Sequence, residues 1–157
     1  MPHQIPVHRG APLDEVFAAV RRGEGRAVAA PSVPVRDLAA EAGLTVLHAR
    51  GRAGAAPFAT AVELLAPAVE PLGAGARRRV FAGAASLAEP LFTRAARPAT
   101  SEFAFVHGLY WLTARLADRG PLALLVESAG RGDEPSLRLC AYLAQRIDEL
   151  PVALVLG

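Results

Sequence analysis

The chain has 157 residues, 52% of them hydrophobic, and a formal net charge of +2, with 17 basic residues that are all arginine. This size and apolar content suit a single packed domain and exclude a disordered chain. The small net charge argues against a nucleic-acid-binding protein: Arg77-Arg78-Arg79 is the one tight basic cluster and reads as a solvated helix face.

Residues 1–12 carry three prolines and two histidines without a helical period, and read as an extended lead-in. Leu13, Val16, Phe17 and Val20 then fall on one face of a helix that Arg21-Arg22-Gly23 closes. Arg26 to Ala30 is a short apolar run, read as a buried strand. Pro31 and Pro34 bracket a loop, and Asp37 to Ala42 is a short helix ending at Gly43. Leu44 to Ala49 is a second strand, and Gly51 to Pro57 a Gly/Ala loop. Phe58 to Leu72 has a helical pattern that Pro67 and Pro71 must kink or end. Ala76 to Phe92 is another helix, followed by a linker over 93–101 in which Ser101 is a fair N-cap.

Phe103 to Asp118 is the strongest helical pattern, with Phe105, Val106, Leu109, Leu112 and Leu116 as its buried stripe and Tyr110 and Trp111 as core or interface anchors. Arg119-Gly120-Pro121 stops it. Leu122 to Glu127 is a buried strand, Ser128 to Asp133 a loop, Glu134 to Leu150 a helix with Pro135 in its first turn, and Val152 to Leu156 a last strand. Strands alternating with helices, and strands apolar throughout, point to an α/β fold: a four-stranded, mainly parallel sheet between helix layers.

Cys140 is the only cysteine, so no intrachain disulfide forms; its apolar helical setting reads as a small buried residue and not a nucleophile. Met1 to Gly10 has no signal-peptide core, and the apolar run Leu122 to Val126 is too short to span a bilayer, so no membrane role and a cytoplasmic location are expected. His3, His8 and His48 lack metal-ligand spacing, so no metal is expected, and Gly-x-Ser-x-Gly is absent. His107 is expected to bond a backbone carbonyl. Glu127, Arg131 and Asp133 cluster at the end of one strand, where α/β folds place ligands; the competing reading is a ligand-free loop with a helix cap.

From Ser101 onward the chain resembles the AAA/STAND-type ATPase domain of large LuxR-type transcriptional regulators. Phe105-Val106-His107-Gly108-Leu109-Tyr110-Trp111-Leu112-Thr113 looks like the helix before Walker B, and Leu122 to Asp133 sits where that family has an apolar strand, two acids and Ala-His-Trp-x-Asp. Pro135-Ser136-Leu137-Arg138 and Leu150 to Leu156 continue the match; Arg9, Leu13, Gly25 to Val28, Leu44 to Gly51 and Pro57 to Leu72 follow it more loosely. The resemblance implies a P-loop-like but truncated domain over 1–157, in which the strand beginning at Arg26 is left with an open outer edge. A protein partner, a second copy or the N-terminal segment is expected to cover that edge.

The positions that should carry nucleotide chemistry are changed. A P-loop wraps phosphates with glycine backbone N–H groups and completes the site with a Lys and a hydroxyl. The matching stretch here, Ala30-Pro31-Ser32-Val33-Pro34-Val35-Arg36-Asp37, has no glycine, with Arg36 at the Lys position and Asp37 at the hydroxyl position. Glu127 stands for the first Walker B acid and Ser128 for the second. The vestigial site is thus Pro31, Ser32, Arg36, Asp37, Glu127 and Ser128, with no cofactor. The expected function is a non-hydrolysing, pseudo-ATPase-like structural or regulatory subunit. The alternative is an enzyme or enzyme subunit of bacterial specialised metabolism that reuses Asp37, Glu127, Arg131 and Asp133.

Overall fold

A computed structural model describes residues 4–93 and 101–157; the 93–101 linker expected from sequence lies mostly outside them. The elements run β1 (His8–Arg9), α1 (Leu13–Arg21), β2 (Arg26–Ala29), α2 (Ser32–Glu41), β3 (Thr45–Arg50), α3 (Ala59–Val69), α4 (Ala74–Val80), a 3-10 stretch (Gly83–Phe92), α5 (Glu102–Ala117), β4 (Leu122–Glu127), a 3-10 turn (Ala129–Arg131), α6 (Glu134–Arg146), a second 3-10 turn (Ile147–Glu149) and β5 (Val152–Leu156).

The strands form one parallel sheet in the order β1-β2-β5-β4-β3. Side chains of a strand alternate between faces, and here both faces are dry. Leu122, Leu124 and Val126 of β4 join Leu47, Ala49, Val152 and Leu154 in a core covered by α3, α4, α5 and α6. Ala123 and Leu125 join Val28, Ala153 and Val155 against Val16, Phe17 and Val20 of α1 and Val35 and Ala39 of α2. Burial on both sides explains why β4 and β5 read as continuous apolar runs.

Three sequence expectations change. The sheet has five strands, not four, because His8–Arg9 pairs with Val28 and Ala29. Ile5 and Val7 beside it pack on the larger core. The outer edge of β2 is therefore met over two residues by the chain's own N-terminal segment. Second, the stretch between Pro31 and Pro34 is not a loop: α2 begins at Ser32, with Pro31 as its N-cap residue. Pro34 is the third helical residue, where the N–H has no partner within the helix, so the ring costs no hydrogen bond. Third, the helix expected over Ala76–Phe92 breaks: α4 ends at Val80 and a 3-10 stretch starts at Gly83, whose φ of +62° is left-handed. Ser101 does cap α5, its hydroxyl accepting from the Ala104 N–H at 3.2 Å.

Candidate functional site at the C-terminal ends of the strands

In an open parallel sheet, ligands sit beyond the carboxyl ends of the strands. Here that rim is made by Ala29, Arg50, Glu127 and Leu156 and the turns that leave them. The turn after β2 has only Ala30 and Pro31 before α2 begins, and Ala30 N–H donates back to Leu156 O at 3.1 Å. Arg36 and Asp37 lie on the second turn of that helix and are exposed; Val35 and Ala39 take its buried positions. No hydrogen bond or ion pair joins Asp37 to the other candidate residues among the described ones.

Glu127 lies opposite Arg50 in the parallel register of β3 and β4. Its carboxylate reaches His48 Nε2 at 3.3 Å and Arg50 Nε at 3.6 Å. These three side chains share a face because positions 48 and 50 alternate with the buried Leu47 and Ala49. Sequence reading missed His48 and Arg50; pairing the strands in register would have put both beside Glu127. Glu63 of α3 reaches the same edge, accepting from Arg50 N–H at 3.3 Å and from Arg52 Nη1 at 2.7 Å.

Asp133 has a different role from Glu127. It is the N-cap of α6 and only 7% exposed. Its Oδ1 accepts from Ser136 N–H at 2.9 Å and from Phe58 N–H at 2.8 Å, and its Oδ2 accepts from Thr60 N–H at 3.0 Å. Ser136 Oγ adds a bond from Ala61 N–H at 3.0 Å. One carboxylate therefore starts α6 and also ties down the start of α3, including Phe58, whose φ of 66° is costly for a residue with a side chain. Burial pushes the carboxyl up, but the donors from Thr60 and Ser136 together outweigh it and hold its pKa below the usual 3.8. The helix-cap reading of Asp133 is the one the geometry carries, enlarged by a reach of 75 residues to Phe58.

Arg131 is exposed on the turn after β4 and makes no ion pair among the described residues. Ser128 sits in the left-handed region, φ 48° and ψ 43°, where β4 passes closely by Gly51. The rim thus brings Glu127, His48 and Arg50 together, holds Asp133 inside the packing, and leaves Arg131, Arg36 and Asp37 in solvent.

His107 bonds not a backbone carbonyl but the Tyr142 hydroxyl, 3.0 Å from its Nδ1. Cys140 is buried, and burial pushes its thiol up to about 12. A thiol reagent is expected to leave the folded protein unlabelled at neutral pH and to label one thiol in denaturant, followed by absorbance at the released chromophore. Fast labelling of folded protein would contradict the burial.

No family model, curated protein or solved structure matches this chain. Among the described residues there is no group of His, Cys, Asp and Glu side chains able to hold a metal ion, and no helix long and apolar enough to cross a membrane.

Proposed function

We propose that this chain is a non-hydrolysing α/β subunit, ATPase-like in descent, that acts by binding a protein partner. The observation that carries this reading is Asp133: this acid of the loop after the Walker-B-like strand, the residue kept in the family's Ala-His-Trp-x-Asp position, is spent on three backbone donors. Two further features support it. The two-residue turn from β2 into α2 has no succession of free backbone N–H groups to wrap a phosphate. The parallel sheet flanked by helices is compatible with the three-layer α/β fold that the resemblance implies.

Calorimetric titration with Mg-ATP is expected to give no saturable heat, and the chain purified from its native source is expected to elute with a partner. Saturable nucleotide binding that disappears in Glu127→Ala, or elution as a lone monomer, would overturn the reading.

A second reading is favoured by one observation: the His48, Glu127 and Arg50 cluster is a carboxylate–imidazole pair with a guanidinium on the strands' C-terminal rim. It supports an enzyme subunit with rebuilt cleft chemistry, Glu127 or His48 as base and Arg50 as anion clamp. Loss of a complex's activity in both Glu127→Ala and His48→Ala, with assembly intact, is the result that would establish it.

A further inference from the structure

The one tight basic cluster of the sequence, Arg77-Arg78-Arg79, acquires neighbours in the fold. Arg77 is already engaged: its Nε lies 3.7 Å from Glu89, and its guanidinium carbon lies 5.0 Å from the centre of the Phe81 ring. Arg79 instead lines a cavity of about 380 Å³, with Val80 and Ala82 at the end of α4 and Arg115, Asp118 and Arg119 at the end of α5. All four charged residues are exposed.

The charges select an anion. Three guanidiniums face one carboxylate around this cavity. None of the four makes an ion pair or side-chain hydrogen bond among the described residues. Elsewhere the chain supplies its arginines with acids: Arg52 holds Glu63, and Arg138 holds Glu102 and Glu134. Cations do complement the negative end of a helix dipole. Yet the last carbonyls here are met by backbone N–H groups, Arg77 O by Phe81 and Leu116 O by Arg119, and not by the arginine heads. A guanidinium keeps its charge at any working pH and carries donors in a fork that matches a carboxylate.

The heads are spread out. Arg79 reaches back along α4, as long helical side chains do, and its Nη1 lies 3.8 Å from where a Cβ at Gly75 would stand. Arg115 lies over Gly83, its Nη2 3.9 Å from the corresponding point there. This spacing suits several carboxylates in a row better than one compact ion. Arg119 also borders a second recess, of about 250 Å³, walled by Ala68, Leu72, Leu116 and Leu122. Thr45 and Leu122 open β3 and β4, so this recess lies at the N-terminal ends of the strands, opposite the Glu127 rim. A basic surface thus runs into an apolar recess, with Arg119 common to both.

We propose that the surface where α4 and α5 end docks a segment of a partner protein in which several carboxylates are followed by an apolar anchor. The carboxylates fork onto Arg79, Arg115 and Arg119, and the anchor enters the recess beside Leu72. This deepens the subunit reading and rests on it only for the existence of a partner.

Fluorescein-labelled hexaglutamate extended by dileucine is titrated against the intact chain and read by anisotropy, with hexaglutamate-diserine and hexalysine-dileucine as comparisons. The acidic dileucine peptide is expected to bind most tightly, and more weakly as salt rises. Arg79→Gln weakens it about threefold and Arg79→Gln with Arg115→Gln about tenfold, whereas Asp118→Asn tightens it. Leu72→Ser weakens the dileucine peptide about threefold and leaves the diserine peptide unchanged. Arg36→Gln, at an exposed arginine of α2, leaves all binding unchanged. Equal binding of the lysine or the diserine peptide overturns the proposal. So does unchanged binding by the double arginine variant with its circular dichroism intact, or a loss in Arg36→Gln as large as in Arg79→Gln. A native partner that stays with the double arginine variant also overturns it while leaving the subunit reading in place. A chain with no partner at all overturns the subunit reading instead, and the peptide titration still decides the surface.

Discussion

Asp133→Ala is expected to lower the unfolding free energy by about 4 kcal/mol in urea titration, since the lost helix cap and the stranded buried donors each cost on the order of 1–3 kcal/mol and do not add fully. Three backbone N–H groups at the starts of α3 and α6 lose their acceptor together. The acid limb of stability gives a second readout. The folded carboxyl is held below its ordinary value of 3.8, so the unfolded chain takes up the proton first. The stabilisation from this group is therefore fully present above the ordinary carboxyl range and is lost as pH falls through the lower folded value. The gap between wild type and variant narrows in acid. A variant as stable as wild type, or a gap that stays constant into acid, would show that this carboxylate is not the clamp.

Gly25→Ala is expected to cost at least about 3 kcal/mol, at the upper end of what overpacking does. A Cβ at this position would lie 1.8 Å from Ile147 O, 2.7 Å from Ile147 C and 2.8 Å from Leu150 O. All three are backbone atoms, so no side chain can swing aside. The contact is also where the start of β2 meets the turn leading into β5, with Gly25 N–H donating to Asp148 O at 3.0 Å. Gly130→Ala is the control: nothing lies within 4 Å of its added carbon. Its effect should stay within about 0.5 kcal/mol, as for surface substitutions generally. Equal melting curves for the two variants would contradict the close approach at Gly25.

The central strands were legible because burial on both faces leaves an unbroken apolar run, and 122–127 and 152–156 emerge at their expected limits. The helix starts at Ser101 and Asp133 were legible from their capping side chains. β1 was not, since two residues, His8 and Arg9, have no period to detect and their pairing with Val28 and Ala29 is non-local. Pro31 and Pro34 suggested a loop because proline breaks helices, yet both stand where the first turn tolerates them. At the rim, the sequence placed Glu127, Arg131 and Asp133 close together. It could not tell which carboxylate turns inward. That depends on Phe58 and Thr60, far away in sequence, presenting their N–H groups at the head of α6.

The strand order also governs how the chain can assemble. β2 has no neighbour near it in sequence except the two residues of β1; its main partner is β5, with Arg26 matched to Ala153 and Ala29 to Leu156. Between them lies nearly the whole polypeptide, and loop-closure entropy must be met before that pairing returns anything. β3 and β4 can form a half-sheet with α3 and α5 earlier, but β2 and α1 have no sheet to lie on until β5 arrives. The β2–β5 pairing therefore carries a larger loop-closure cost than the β3–β4 and β4–β5 pairings of the same sheet.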